Sequence, residues 1–252
     1  MHRRDFVVFL MFAACKKSDG DAEDSGMVKP RNDVVPGTER ARRAAERVRG
    51  GLQADLARLG LRVGNPVFLR AFKEEEVLEL WVLQKEAGRH VLFRKYPVAA
   101  WSGSLGPKLA EGDGQVPEGF YAVGPAAMKP DSDFHLAFNI GYPNAYDRHH
   151  GRTGSFIMIH GNRVSSGCLA MTDEKIEEIY TLCDAALREG QPFFRVHIFP
   201  FRMTETRMAE AAADRSIGFW REIQAGYRWF EQHRVPPEVI VRDGAYRFSA
   251  GD

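Results

Sequence analysis

The stretch 155–172, SFIMIHGNRVSSGCLAMT, leaves the backbone few options. An apolar run ends on His160–Gly161, a short polar loop follows, and Ser165–Ser166–Gly167–Cys168 leads towards a helical pattern. Ser155–His160 is short and apolar, which suits a buried strand. The spacing from Thr172 to Glu189 predicts a helix. Thr172 is its expected N-cap, Asp173 and Glu174 suit its positive end, and Gly190 stops it. Ile176, Ile179, Tyr180, Cys183 and Leu187 fall on one side and predict the buried stripe, with Cys183 as a small core residue.

The rest of the chain alternates short strand patterns with separate helices, which predicts an α+β fold rich in β-structure with flanking helices. Thr38 to Gly60 reads as a helix capped by Thr38 and weakened or kinked at Gly50–Gly51. Pro66–Phe72, Val77–Gln84 and His90–Val98 predict an antiparallel meander. Trp101 to Gly119 is a long glycine-dense loop, of the kind that is usually functional or mobile. Further strands are expected at Phe120–Val123, Leu136–Ile140 and Phe193–Phe201. A long helix is expected over Thr204–His233, then a hairpin over Val239–Phe248 around Asp243–Gly244. The expected organisation is an export segment (1–15), a tether (16–37), a helix and meander (38–100), a central region (101–201) and a C-terminal extension (202–252).

Residues 1–15, MHRRDFVVFLMFAAC, have a basic start and an apolar run too short to span a bilayer. They read as a cleaved export signal. Ala13–Ala14 directly before Cys15 resembles a bacterial lipobox, which makes Cys15 the expected lipidation site and membrane anchor. The rival reading is an ordinary signal cut near Ala14. Residues 16–37 are too polar to fold alone. The expected location is the periplasm, and Lys16 rather than Asp after Cys15 resembles the enterobacterial sorting pattern that implies the outer rather than the inner membrane. With 35 basic and 34 acidic residues the formal charge is +1, which gives no reason to expect a nucleic-acid partner. The arginines of residues 40–49 read as a solvated helix face. Three cysteines argue against a disulfide framework.

Chemistry concentrates at His160 and Cys168. A histidine at a strand end is held rigidly, and a cysteine shortly before a helix can feel its positive end, which favours thiolate. Eight positions separate them, so imidazole and sulfur can meet. Gly161, Ser165, Ser166 and Gly167 complete the loop, and backbone N–H groups there can hold an oxyanion. Alone, each residue is more often structural. Together they supply nucleophile, base and oxyanion donors in one segment. His135, His149, His150 and His160 lack metal-ligand spacing, so no metal is expected, and thiolate acyl transfer needs no cofactor. Arg152 is a candidate for binding a substrate carboxylate, or equally a structural ion pair. Tyr142 and Asn139 either line a groove or support the loop.

The His160–Gly161 strand end followed by Ser165–Ser166–Gly167–Cys168 resembles the active-site motif of the YkuD-type L,D-transpeptidases, most closely the YafK-like branch. Residues 112–121 (GDGQVPEGFY), 134–144 (FHLAFNIGYPN) and 145–154 (AYDRHHGRTG) extend the likeness, which runs from about Trp101 to Phe201. The resemblance implies an L,D-transpeptidase catalytic domain in which Cys168 is acylated, His160 takes its proton, and Gly167 and Cys168 offer backbone donors. Ser166 stands where the broader family has histidine, and Leu169–Ala170–Met171 replace its Arg and Asn. The implied substrates are peptidoglycan stem peptides containing diaminopimelate. An amine acceptor then gives a cross-link, and water gives hydrolysis. A member of the YafK-like branch releases the outer-membrane murein lipoprotein from peptidoglycan, so that lipoprotein is an implied partner. A non-catalytic wall-binding lipoprotein is the remaining alternative.

Overall fold

The computed structural model describes residues 34–251. The expected export segment, Cys15 and residues 16–33 of the expected tether lie outside them. Val35, within the last part of that tether, is buried in the core.

Helix α1 (Glu39–Ala57) starts where Thr38 predicts, since the Thr38 hydroxyl accepts the Ala41 N–H at 3.2 Å. It runs through Gly50–Gly51 unbroken. Its buried stripe is Ala44, Leu52 and Leu56, and a Cβ on either glycine would meet open space, so both face away from the packing. Of the early arginines, Arg40 donates to the Ser132 and His135 carbonyls, and Arg47 pairs with Glu177. Arg42 and Arg43 pair along the helix with Glu46 and Glu39.

The meander forms as expected: β1 (Val67–Phe72), β2 (Val77–Gln84) and β3 (Arg89–Pro97) pair antiparallel. They join β4 (Gly119–Val123) and β9 (Phe194–Phe199) in a sheet ordered β3-β2-β1-β9-β4, with β1 and β9 parallel. A second sheet is ordered β5-β6-β7-β8, from β5 (Met128–Lys129), β6 (Ala137–Asn139), β7 (Met158–His160) and β8 (Leu169–Ala170). The chain leaving β3 ties the sheets together, because Ala100 bridges to Ala170. Helix α2 (Ala145–His149) lies between β6 and β7, and α3 (Asp173–Arg188) follows β8.

Strand β1 is buried on both faces and shows how the layers form. Val67, Leu69 and Ala71 face a core shared with the second sheet, α1 and α3. Phe68, Arg70 and Phe72 point to the opposite face. That face is covered by the C-terminal extension: α4 (Glu205–Glu210), α5 (Ile217–His233) and the hairpin β10 (Glu238–Arg242) and β11 (Ala245–Ser249). Arg70 anchors the cover, with its guanidinium 2.6 Å from Glu231 and within 5 Å of the Phe230 and Tyr227 rings.

Two helix expectations need correction. Thr204–His233 is two helices, not one. Residues 211–216 break it, where Asp214 accepts the Ser216 N–H on its side chain at 2.7 Å and so competes with helical pairing. Thr172 precedes α3 but makes no side-chain cap. Its φ is +71°, a strained setting for a β-branched residue, and it is held by its N–H to the Asn162 carbonyl at 3.0 Å.

Candidate active site

The pairing of β7 with β8 positions both reactive residues. Ile159 pairs with Leu169 and His160 with Ala170, in parallel. Continued one step, this register sets Cys168 beside Met158, two strand positions from His160, roughly 7 Å along the backbone. The contacts agree: the Met158 N–H donates to Cys168 Sγ at 3.4 Å, and the thiol donates to the Phe156 carbonyl at 3.7 Å. Among the described residues no hydrogen bond joins Sγ to the imidazole.

His160 is buried, with its ring against Phe134 at 4.7 Å between centroids. Its Nδ1 lies 2.5 Å from the Gly161 carbonyl oxygen. A carbonyl only accepts, so Nδ1 carries the proton and Nε2 keeps its lone pair. Burial lowers the His160 pKa, and the Gly161 carbonyl opposes this without cancelling it. The imidazole is therefore a neutral base with a fixed tautomer. Gly161 itself must be glycine: a Cβ would lie 2.6 Å from Asp173 Oδ1 and 2.8 Å from the Phe134 carbonyl oxygen.

Cys168 is half-buried. Burial raises its pKa, while the Met158 N–H and the Lys108 charge pull it down by less. The expected help from the α3 dipole does not arrive. Strand β8 separates Cys168 from Asp173, and a helix end acts only over about its first turn. The end of α3 instead packs against the residues after His160, where Asp173 Oδ1 accepts the Asn162 N–H at 2.8 Å.

The oxyanion loop also differs in part from expectation. The Gly167 N–H is taken by Ser102 Oγ at 2.6 Å, which leaves the Cys168 N–H as the candidate donor. Gly167 has φ +89°, and a Cβ there would come within 3.3 Å of the Gln115 carbonyl oxygen. Ser165 Oγ donates to the Cys168 carbonyl at 2.6 Å, and Ser166 is exposed. Ser102, Gln115 and Lys108 were not singled out from sequence; the glycine-dense loop that carries them was the available signal. Lys108 is buried, with Nζ donating to the Ala110 carbonyl and to Asp113.

Three residues considered for substrate binding are engaged elsewhere. Arg152 is buried and pairs with Asp147 at 2.8 Å, its guanidinium 4.6 Å from the Phe219 ring centroid. The Tyr146 ring centroid lies 5.1 Å from the same guanidinium, beside Phe219. The structural ion pair is thus the reading that holds, and Arg152 offers no free fork to a ligand. The Tyr142 hydroxyl donates to the Lys108 and Thr153 carbonyls, and Asn139 Oδ1 accepts the Gly141 N–H. Both support the loops. Among the described residues no group of three or more His, Cys, Asp or Glu is arranged to hold a metal. The His135 side chain contacts Glu177, and His150 Nε2 donates to the Gly244 carbonyl.

Residues 79–198 match the model of the YkuD L,D-transpeptidase catalytic domain. The chain is 46% identical over 184 residues to YafK of Escherichia coli strain K12, whose name assigns it provisionally to the L,D-transpeptidases; the match covers 73% of this chain and 74% of that one. Among solved structures, the helical cell shape determining protein Pgp2 from Campylobacter jejuni (K307A mutant) aligns with a TM-score of 0.43 and 23% identity, over 58% of this chain and 53% of that one. Bd1075 of Bdellovibrio bacteriovorus aligns with a TM-score of 0.38 and 17% identity, over 71% of this chain and 78% of that one. On the family match and the YafK identity together, the chain belongs to the YkuD-type L,D-transpeptidase family.

Proposed function

We propose that this protein is a cysteine enzyme that transfers acyl groups of peptidoglycan stem peptides, with Cys168 as nucleophile and His160 as base. One observation carries the reading: the β7–β8 register brings Cys168 within two strand positions of an imidazole whose Nδ1–H is fixed on the Gly161 carbonyl. Nucleophile, base and a group that orients the base are the parts covalent acyl transfer requires.

In the proposed reaction the Cys168 side chain leaves its backbone partners and gives its proton to His160 Nε2. The thiolate attacks the diaminopimelate carbonyl, and the Cys168 N–H supports the oxyanion. The tetrahedral intermediate collapses, the C–N bond breaks, and the imidazolium returns the proton to the leaving amine. A thioester remains on Cys168. An amine acceptor then attacks to form a new amide, or water attacks to give the free acid, and His160 takes the second proton. The proposed setting is the periplasm, with Cys15 as lipid anchor, a reading that rests on residues 1–15 alone.

The experiment is digestion of purified muropeptides with the wild type and Cys168→Ala, read by mass. New dimers identify transpeptidation. Loss of linked peptide without dimers identifies hydrolysis. Equal products from the wild type and Cys168→Ala would overturn the enzyme reading and leave a wall-binding protein.

A further inference from the structure

A groove of about 520 Å³ runs between the 101–119 loop and the start of α5. Leu109, Asp113 and Gln115 line one side, and Arg215, Ser216 and Phe219 line the other. Gln115 connects it to the candidate active site, because its carbonyl packs against Gly167, the residue before Cys168. The walls are firm. Gly106, also in the groove lining, is held through its N–H by Glu118 and through its carbonyl by Lys73 and Gln115. Trp220 in α5 donates to the same Glu118 at 2.7 Å.

The α5 end of this groove suits an anion: of the two carboxylates near it, Asp214 caps the turn before α5, and Asp113 on the opposite wall is paired with Lys108. Helix α5 has 17 residues, no acidic residue in its first turn and no side-chain cap. Asp214 accepts the Ser216 N–H on its side chain and the Ile217 N–H on its backbone. The Gly218 and Phe219 amides have no backbone partner among the described residues. A second, independent feature sits beside them. Ser216 is 9% exposed, yet its hydroxyl makes no hydrogen bond among the described residues. That hydroxyl faces Gly106 in the groove, where an added Cβ would lie 3.0 Å from Oγ. Arg215 is exposed and has no ion pair among the described residues. A positive helix end, a free hydroxyl and an arginine thus line the same end of the groove.

We propose that the groove is a peptide subsite, in which Arg215, Ser216 Oγ and the Gly218 and Phe219 amides grip a free carboxylate of a peptidoglycan stem whose reacting carbonyl lies at Cys168. The proposal rests on the acyl-transfer reading above and adds its specificity element. Leu109, 59% exposed, and Phe219 flank the path with apolar surface for the aliphatic part of the stem. It also gives the C-terminal extension a role that covering the sheet does not require.

The test is steady-state kinetics of the full chain on purified muropeptides and on the same muropeptides amidated at their free carboxylates. Arg215→Ala is expected to raise KM roughly tenfold with kcat retained, Ser216→Ala to raise KM by less, and Arg215→Lys to recover part of the loss. Amidation is expected to raise the wild-type KM by a similar factor and the Arg215→Ala KM little further. Wild-type turnover with a KM indifferent to Arg215→Ala, or an amidation penalty that persists in that variant, would overturn the subsite and leave the enzyme reading standing. A wild type that turns over no muropeptide would overturn both.

Discussion

Lys73 and Glu118 form an ion pair of 2.9 Å with both side chains wholly out of solvent. The pair locks three parts of the chain. Lys73, just past β1, also donates to the Gly106 and Val116 carbonyls. Glu118 accepts from Gly106 in the loop and Trp220 in α5. Burial lowers the Lys73 pKa, and the Glu118 charge and hydrogen bond work against that. The loop that contacts Gly167 therefore depends on a charge pair between its own Glu118 and a lysine supplied from the end of β1.

Removing one member should show this. Lys73→Met leaves Glu118 buried and uncompensated, and is expected to cost about 3–5 kcal/mol. Lys73→Met with Glu118→Gln keeps a neutral acceptor for Gly106 and Trp220 and should recover most of the loss. Urea unfolding midpoints check both. A single variant as stable as the wild type would mean that the pair does not organise the loop.

The two reactive groups should titrate as neutral partners in the free protein. Burial holds the Cys168 thiol above its ordinary pKa and His160 below its own. Alkylation of Cys168, followed by peptide mapping, is expected to rise steadily into the alkaline range. A plateau below pH 7 would instead reveal a preformed thiolate–imidazolium pair. Cys183 is wholly buried with its pKa raised, and should stay unmodified until unfolding. His160→Ala should leave this alkylation profile nearly unchanged but lower muropeptide turnover by about 10²–10⁴. In the wild type, the acid limb of kcat/KM should fall below the ordinary imidazole value, because His160 keeps its lone pair to lower pH.

These partners explain which parts of the site were legible in the sequence. His160 and Cys168 lie eight positions apart, so a strand–loop–helix pattern places both. The apolar runs of β1, β2 and β9 are visible for a similar local reason, since each strand's burial is written in largely consecutive residues. Ser102, Lys108 and Gln115 meet Cys168 and its neighbours only through contacts across tens of residues, which periodicity does not carry. Arg152 stayed open between carboxylate binding and an ion pair because the motif shows a charge but not its partner; Asp147, five residues earlier, is buried beside it. The break before α5 was missed because Ala211–Ala213 favours helix, while the competing Asp214 side chain acts through one local hydrogen bond.

Acid sensitivity should originate in buried neutral histidines. His197 is 1% exposed, and neither ring nitrogen has a hydrogen-bond partner among the described residues. Its ring lies 4.7 Å from both Phe68 and Phe120. Burial, then the Arg195 and Arg70 charges, hold its pKa well below the usual imidazole value. Burial likewise lowers His90 to about 4. For such groups the unfolded chain gains a proton as pH falls through about 6.5, while the folded protein does not. Stability is therefore intact above that pH and declines below it, for His90 by about 3 kcal/mol by the time its folded pKa is reached. His197→Phe keeps an aromatic ring in the nest and removes one such group. It should raise the thermal midpoint at pH 5 more than at pH 7.5. Parallel pH profiles for the variant and the wild type would mean that His197 does not remain neutral in the folded protein.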